Sequence, residues 1–226
     1  MSRVAMVAAM EREVRPLVKN WRTSEKEHSG GRFRFFENGD LVVVCAGIGA
    51  GAARRAAEAI IALYEPRIVY SVGFAGALDG SWKVGGLVRP QRVVNAKDGS
   101  SITLEDGSGV LVSFESIASP EQKVKLRDSF SAHAVDMEAA AVAQAAEARG
   151  ISFAAAKAIS DEVGFEFPSI ERFVDPDGRF SEARFAVFAA VRPWIWLQVF
   201  RLARNSRRAS GSLCAFLRGL SEQPRK

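Results

Sequence analysis

The stretch Ile68-Val69-Tyr70-Ser71-Val72-Gly73-Phe74-Ala75-Gly76 decides the fold, because five residues of strand character run directly into a glycine-rich segment. A short apolar run rich in β-branched residues and closed by glycine predicts a buried strand. Working outward, Ala53, Ala56, Ala57, Ile60, Ile61 and Tyr64 recur at helical spacing before it, and Pro66 stops that helix. Further upstream, Val4–Ala8 reads as a short buried strand and Met10–Trp21 as a helix of alternating charge. Phe33–Phe36 and Leu41–Ala46 read as a hairpin around Asn38-Gly39-Asp40, since Asn-Gly readily takes the positive backbone angles of a tight turn. Downstream, Leu87–Ala96 and Ile102–Phe114 predict further strands. Met137–Arg149 predicts an alanine-rich helix ended by Gly150, and Phe153–Ile159 another strand. Strands and helices alternate and the strands are almost continuously apolar, which predicts an α/β fold: a three-layer αβα sandwich with a central mixed sheet. In such sheets ligands bind beyond the carboxyl ends of the strands, so residues just after a strand carry the most weight.

The chain has 226 residues, 48% apolar and 25% charged, enough to bury a core without disulfides, metal ions or obligatory partners. No Pro/Gly/Ser-rich linker and no internal repeat divides it, so one domain is expected over 1–192 with a basic, aromatic helical tail over 193–226. Cys45 and Cys214 are the only cysteines, which argues against a disulfide framework or a cysteine-rich zinc site and fits a reducing cytoplasm. His28 and His133 have no cluster of Cys, Asp or Glu at metal-ligand spacing around them, so no metal or other cofactor is expected. The Val4–Met10 run is shorter than the hydrophobic region of a signal peptide, and no window approaches the roughly 20 apolar residues of a membrane-spanning helix. Neither export nor a span is expected.

The formal charge of +5 suggests nucleic acid until it is divided along the chain. From residue 201 onward there are seven basic residues against one acid, Glu222, whereas positions 1–200 carry 24 basic and 25 acidic residues. The body therefore has no overall basic field to attract a polyanion, and nucleic acid is not an expected partner.

Five segments then occur in a telling order: Ala9-Met10-Glu11-Arg12-Glu13-Val14, Gly47-Ile48-Gly49, Gly73-Phe74-Ala75-Gly76-Ala77-Leu78, Val135-Asp136-Met137-Glu138-Ala139 and Ala158-Ile159-Ser160-Asp161. Together they resemble the nucleoside phosphorylase/nucleosidase superfamily, and within it the methylthioadenosine/S-adenosylhomocysteine nucleosidases, over roughly positions 1–165. The Val-Asp-Met-Glu wording, the short middle region, Asp175-Pro176-Asp177-Gly178-Arg179 and the arginine-rich tail are similar to the hopanoid-associated phosphorylases. The resemblance implies an enzyme that cleaves the N-glycosidic bond of a 5′-modified adenosine and releases adenine, by hydrolysis or by phosphorolysis. It also implies a lipid-linked adenosine such as adenosylhopane as one substrate, and a homodimer.

Breaking a purine N-glycosidic bond requires protonation of the departing base, accommodation of a cationic sugar and a nucleophile at the anomeric carbon. The resemblance matches Asp161 to the purine-binding aspartate, which protonates or hydrogen-bonds N7. In that role its carboxyl should hold a proton more tightly than usual through partial burial. A helix N-cap is its alternative role. Glu138, at the start of the Met137–Arg149 helix where the helix dipole favours an ionised carboxylate, is matched to the ribose hydroxyls, with Met137 against the apolar face of the sugar. A first-turn glutamate that merely steadies the helix is its alternative. Glu13 is matched to the general base that activates the attacking water, with Glu11 and Arg12 as solvated neighbours. Ile117 and Ala118 align with a loop that reads adenine through main-chain groups, Ser160 flanks Asp161, and Phe74 stands where the nucleosidases commonly carry serine.

Phosphate as co-substrate would need donors such as the Gly47-Ile48-Gly49 backbone with Arg54 or Arg55, because backbone amides at a helix start are natural anion donors. Arg54 and Arg55 read equally as a solvated helix face, so hydrolysis and phosphorolysis both stand. In the tail, Trp194, Ile195, Trp196, Leu197, Val199, Phe200 and Leu202 adjoin Arg201, Arg204, Arg207 and Arg208. Such a segment suits peripheral contact with the inner membrane face; the alternative is a C-terminal helix packed on the core, or a dimer interface, with its basic face solvated. A non-catalytic nucleoside-binding protein at a membrane surface is the competing function, and the presence of all three acids argues against it.

Overall fold

The computed structural model describes residues 3–167, 170–175, 178 and 180–222. Of the Asp175-Pro176-Asp177-Gly178-Arg179 run, Pro176, Asp177 and Arg179 lie outside the described residues, as do the last four residues of the tail.

Eleven strands form one mixed sheet with helices on both faces, as the sequence predicts. Its parallel centre comprises β1 (Val4–Ala8), β4 (Leu41–Cys45), β5 (Ile68–Ala77) and β11 (Ser152–Asp161). β5 is the hub: β1 pairs along Ile68–Ser71, β11 along nearly its whole length, and β10 (Ala134–Asp136) antiparallel at Gly76 and Ala77. From β10 the sheet continues through β9 (Val110–Ser113), β7 (Arg92–Asn95) and β8 (Ser101–Thr103), while β6 (Leu87–Val88) pairs with β11. The expected strand Leu87–Ala96 is thus two, because Pro90 offers no N–H to a ladder. The expected strand Ile102–Phe114 is also two, parted around Gly107, whose φ of +137° suits only glycine.

Among the elements that were not legible as elements, three have a plain physical reason. β2 (Arg22–His28) is polar throughout and pairs only with β3 (Gly31–Asn38), an edge position where charged side chains are favoured because they discourage pairing with another chain. β10 is three residues long, too short for periodicity to register. α3 (Pro120–Phe130) lacks an apolar stripe, but its start is fully encoded: Ser119 accepts from the Gln122 N–H, the Gln122 side chain answers the Ser119 N–H, and Pro120 begins the helix.

On one face of the sheet α2 (Ala50–Tyr64) and α4 (Ala139–Glu147) pack through Ala53, Ala56, Ala57, Ala145 and Ala146, small side chains that let the helices close on each other and on the sheet. On the other face α1 (Glu11–Val18) meets α6 (Trp196–Glu222), with Val14 and Leu17 against Ala209, Leu213, Cys214 and Leu217. The second half of the expected tail is therefore core of the domain, and burying a leucine such as Leu213 or Leu217 stabilises it by about 1.5–3 kcal/mol. The first half differs: Trp194, Leu197 and Phe200 are 74%, 70% and 67% exposed. α5 (Glu182–Ala190) precedes this exposed stretch.

Candidate active site

Glu13, Glu138 and Asp161, separated by up to 148 positions, line one cleft at the carboxyl ends of β1, β5, β10 and β11. Met137, Phe74, Ile117, Ala118 and Ser160 line it too, and Phe167, Val174 and Phe180 add apolar surface.

Glu13 lies in the first turn of α1 and folds back over its own helix start, where its Oε2 accepts from the N–H groups of Ala9 at 3.0 Å and Met10 at 3.1 Å. Burial raises its pKa above the ordinary glutamate value, against the opposing effects of Lys157, the Met10 and Phe74 amides and Arg12. Room for this carboxylate comes from Gly73, at φ +143°, where a Cβ would stand 2.9 Å from Glu13 Oε2. Gly76 makes the same allowance for Asp161, since a Cβ there would stand 2.8 Å from Oδ2. The glycines of the Gly73-Phe74-Ala75-Gly76 run are thus the spaces into which two carboxylates fit.

Asp161 ends β11 beyond an irregularity in the ladder. Ile159 pairs with Ala75 and Asp161 with Gly76, so Ser160 is the extra residue and the aspartate is re-aimed into the cleft. No helix begins in the described residues 162–167 that come directly after it, which removes the N-cap reading. Its Oδ1 accepts from the Ser160 hydroxyl at 2.7 Å, and its Oδ2 is paired with the Lys123 ammonium at 2.5 Å. The environment is therefore full burial with an ion pair, where the sequence reading included partial burial alone.

Glu138 is the N-cap of α4. It accepts from the Gly49 N–H at 2.9 Å and from the Met137 N–H at 3.3 Å. The expected preference for the ionised form is overturned: its pKa is pushed up to about 7, first by burial and then by the nearby Asp136 and Glu13 carboxylates, although Lys157 and Gly49 act in the opposite direction. Behind it Lys157 pairs with Asp136 at 2.9 Å, both buried. Burial lowers the Lys157 pKa, but Asp136, Glu138 and Glu13 outweigh it and leave it raised.

The backbone amides expected as phosphate donors are engaged within the chain. The Gly47 N–H donates to Ala9 O at 2.9 Å, the Ile48 N–H to Gly178 O at 2.7 Å and the Gly49 N–H to Glu138, so all three amides are engaged. Ile48 lines the cleft, whereas Arg54 lies on the solvent face of α2 in an ion pair with Glu58 one turn on. Arg55 is likewise exposed.

Lys123, Lys157 and Asp136 were not singled out from sequence. A lysine inside the apolar Phe153–Ile159 strand was a usable signal, since a lysine is rarely fully buried unless paired. Asp136 stood within a quoted motif, but Lys123 belongs to a helix with no periodicity to place it.

Residues 3–120 and 107–191 match the Phosphorylase superfamily, and the chain belongs to it. Within that class it is 28% identical to a 5′-methylthioadenosine/S-adenosylhomocysteine nucleosidase of Staphylococcus aureus over 207 residues, 72% of this chain and 90% of the other. Its fold is that of a Helicobacter pylori MTAN variant with 5′-methylthioadenosine in the active site, at a TM-score of 0.73 and 17% identity over 98% of this chain and 99% of that one. It is also that of the futalosine hydrolase of Helicobacter pylori, at a TM-score of 0.68 and 19% identity over 96% and 98%.

The Glu138 carboxyl gives a test that does not depend on substrate. Its pKa is about 7 in the folded chain against an ordinary 4.5, so between those values the folded state binds more protons than the unfolded one. Stability therefore falls as pH rises through that window, and the deficit persists above it. Glu138→Gln, which keeps an acceptor for Gly49, is expected to stabilise the protein by about 1–3 kcal/mol at pH 8 and by nothing at pH 4.5. Denaturant unfolding at both pH values checks this; an equal effect at the two would contradict the raised pKa.

Proposed function

We propose that this protein cleaves the N-glycosidic bond of a 5′-modified adenosine and releases adenine, using water as the nucleophile. The observation that carries the reading is the convergence of Glu13, Glu138 and Asp161 on one cleft, in a chain of the phosphorylase superfamily. Each acid answers one demand of the reaction. Asp161, steadied by Ser160, faces N7 of the base, and Ile117 and Ala118 border the ring through their loop. Glu138 receives the ribose hydroxyls, with Met137 and Phe74 against the sugar. Glu13, desolvated and therefore a stronger proton acceptor than an exposed glutamate, takes a proton from water as its oxygen closes on C1′. The carboxylates on this side of the cleft also stabilise the positive charge that develops on the sugar.

Water is preferred to phosphate because the Gly47-Ile48-Gly49 amides are already hydrogen-bonded and Arg54 is held on the surface. No cofactor enters the scheme.

The 5′ substituent is taken to be long and apolar, a lipid-linked adenosine such as adenosylhopane being the case that the hopanoid-associated resemblance implies. Supporting this, a second groove of about 680 Å³ adjoins the cleft across Arg12, Leu202 and Ser206, with Phe185 and Val199 in its wall and Arg15 and Arg207 beside them. The same reading makes the protein a cytoplasmic homodimer whose exposed Trp194, Leu197 and Phe200, next to Arg201 and Arg204, touch an anionic inner membrane face.

Free adenine released from methylthioadenosine, S-adenosylhomocysteine, adenosine and an adenosyl lipid, each with and without phosphate, tests the chemistry. Release independent of phosphate is expected, with Asp161→Asn and Glu13→Gln each lowering turnover by about 100-fold or more. Undiminished turnover in both variants, or tight adenosine binding with no adenine release, would refute it. The membrane contact is tested by flotation with anionic vesicles. The unmodified protein should float, and a chain carrying Trp194→Ser, Leu197→Ser and Phe200→Ser should not; equal behaviour of the two would remove the contact.

A further inference from the structure

Lys123 is a cleft-lining side chain that the scheme above leaves without a task. It sits in the first turn of α3, is 1% exposed, and still lines the cleft. Its ammonium meets Asp161 Oδ2 at 2.5 Å and donates to Glu162 O at 2.9 Å. A fully buried lysine is uncommon, and it costs stability unless its partner compensates closely. This one comes from a separate element to meet the single carboxylate assigned to the leaving base.

The chemistry says what it is for. A carboxylate paired with an ammonium has no proton of its own to give, yet the purine leaves as an anion about as basic as an amine unless it is protonated. Two donors reach Asp161: the Ser160 hydroxyl and the Lys123 ammonium. A serine that loses its proton becomes a far stronger base than a carboxylate, whereas an ammonium that loses one becomes a neutral amine. Burial keeps bulk water from acting in its place.

We propose that Lys123 supplies the proton that leaves with the base, passing it through Asp161. As the C1′–N9 bond breaks and its electron pair moves onto the ring, Asp161 takes a proton from Lys123 Nζ and passes that same proton to N7, ending again as a carboxylate. Water bonds to C1′ and its proton goes to Glu13. Lys123 is left as a neutral amine, and the resting state returns when Glu13 gives its proton to solvent and Lys123 regains one. The inference rests on the adenine-releasing reading, and it makes Lys123 a positioning and proton-supplying residue that acts through Asp161.

The test separates proton supply from ion pairing. Arginine keeps the positive charge but holds its proton in any protein environment, and glutamine keeps neither. Lys123→Arg and Lys123→Gln are compared with the unmodified enzyme on methylthioadenosine. They are also compared on a riboside with the same 5′ group but 4-nitrophenolate as leaving group, which departs as a stable anion without protonation. For adenine release, kcat is expected to fall about 100-fold or more in both variants while KM stays within about threefold. Nitrophenolate release should stay within about threefold of the unmodified enzyme. An arginine variant that retains adenine release, or an equal loss from the two substrates, overturns the proposal. An unmodified protein that releases no adenine from any 5′-modified adenosine counts instead against the function on which it rests.

Discussion

Six ionisable side chains are buried side by side at the carboxyl ends of the central strands: Glu13, Asp136, Glu138 and Asp161 against Lys123 and Lys157. Removing charge from water is expensive, so such a group persists only where pairing and hydrogen bonds compensate it. Here two of the four carboxyls are matched by ammoniums, Asp136 by Lys157 and Asp161 by Lys123. The surplus falls on Glu13 and Glu138, and burial raises the pKa of both. The imbalance is a cost to the empty protein and an advantage to a ligand that becomes cationic at its sugar. A site short of positive charge favours a transition state that supplies it.

The fold provides this arrangement through β5. Lying between β1 and β11 and touching β10, it is the strand against which Glu13 and Asp161 are positioned. Gly73 and Gly76 leave out the two Cβ atoms that would occupy the space of Glu13 and Asp161. The irregularity at Ser160 turns Asp161 inward, and the start of α4 presents Glu138. α6 holds the assembly from behind, where the Ser210 hydroxyl donates to Glu13 O at 2.9 Å. A helix that the sequence offered either to a membrane or to the core thereby supports Glu13.

What could be read from the sequence was what local pattern encodes. The central strands, the alanine-rich helices and the three acids each follow an apolar run or a glycine turn, so their places could be inferred one segment at a time. What could not be read depended on contacts between distant segments. The polar strand β2 is stable only because β3 pairs with it, and Lys123 gains meaning only from Asp161, 38 positions later. The amides of Gly47-Ile48-Gly49 look like an anion cradle until Ala9, Gly178 and Glu138 are seen to occupy them. Glu138 was misjudged for a related reason: the helix dipole is a local effect, and it is outweighed by burial beside two other carboxyls.

The most direct measurement of the central claim is a crystal structure of the protein with an adenosine analogue whose sugar ring carries a cationic nitrogen. The account requires the purine N7 within hydrogen-bonding distance of Asp161, the sugar hydroxyls on Glu138, and a water held between Glu13 and the anomeric position. An analogue bound elsewhere, or lying in the cleft with its base turned away from Asp161 and its sugar away from Glu138, would contradict it.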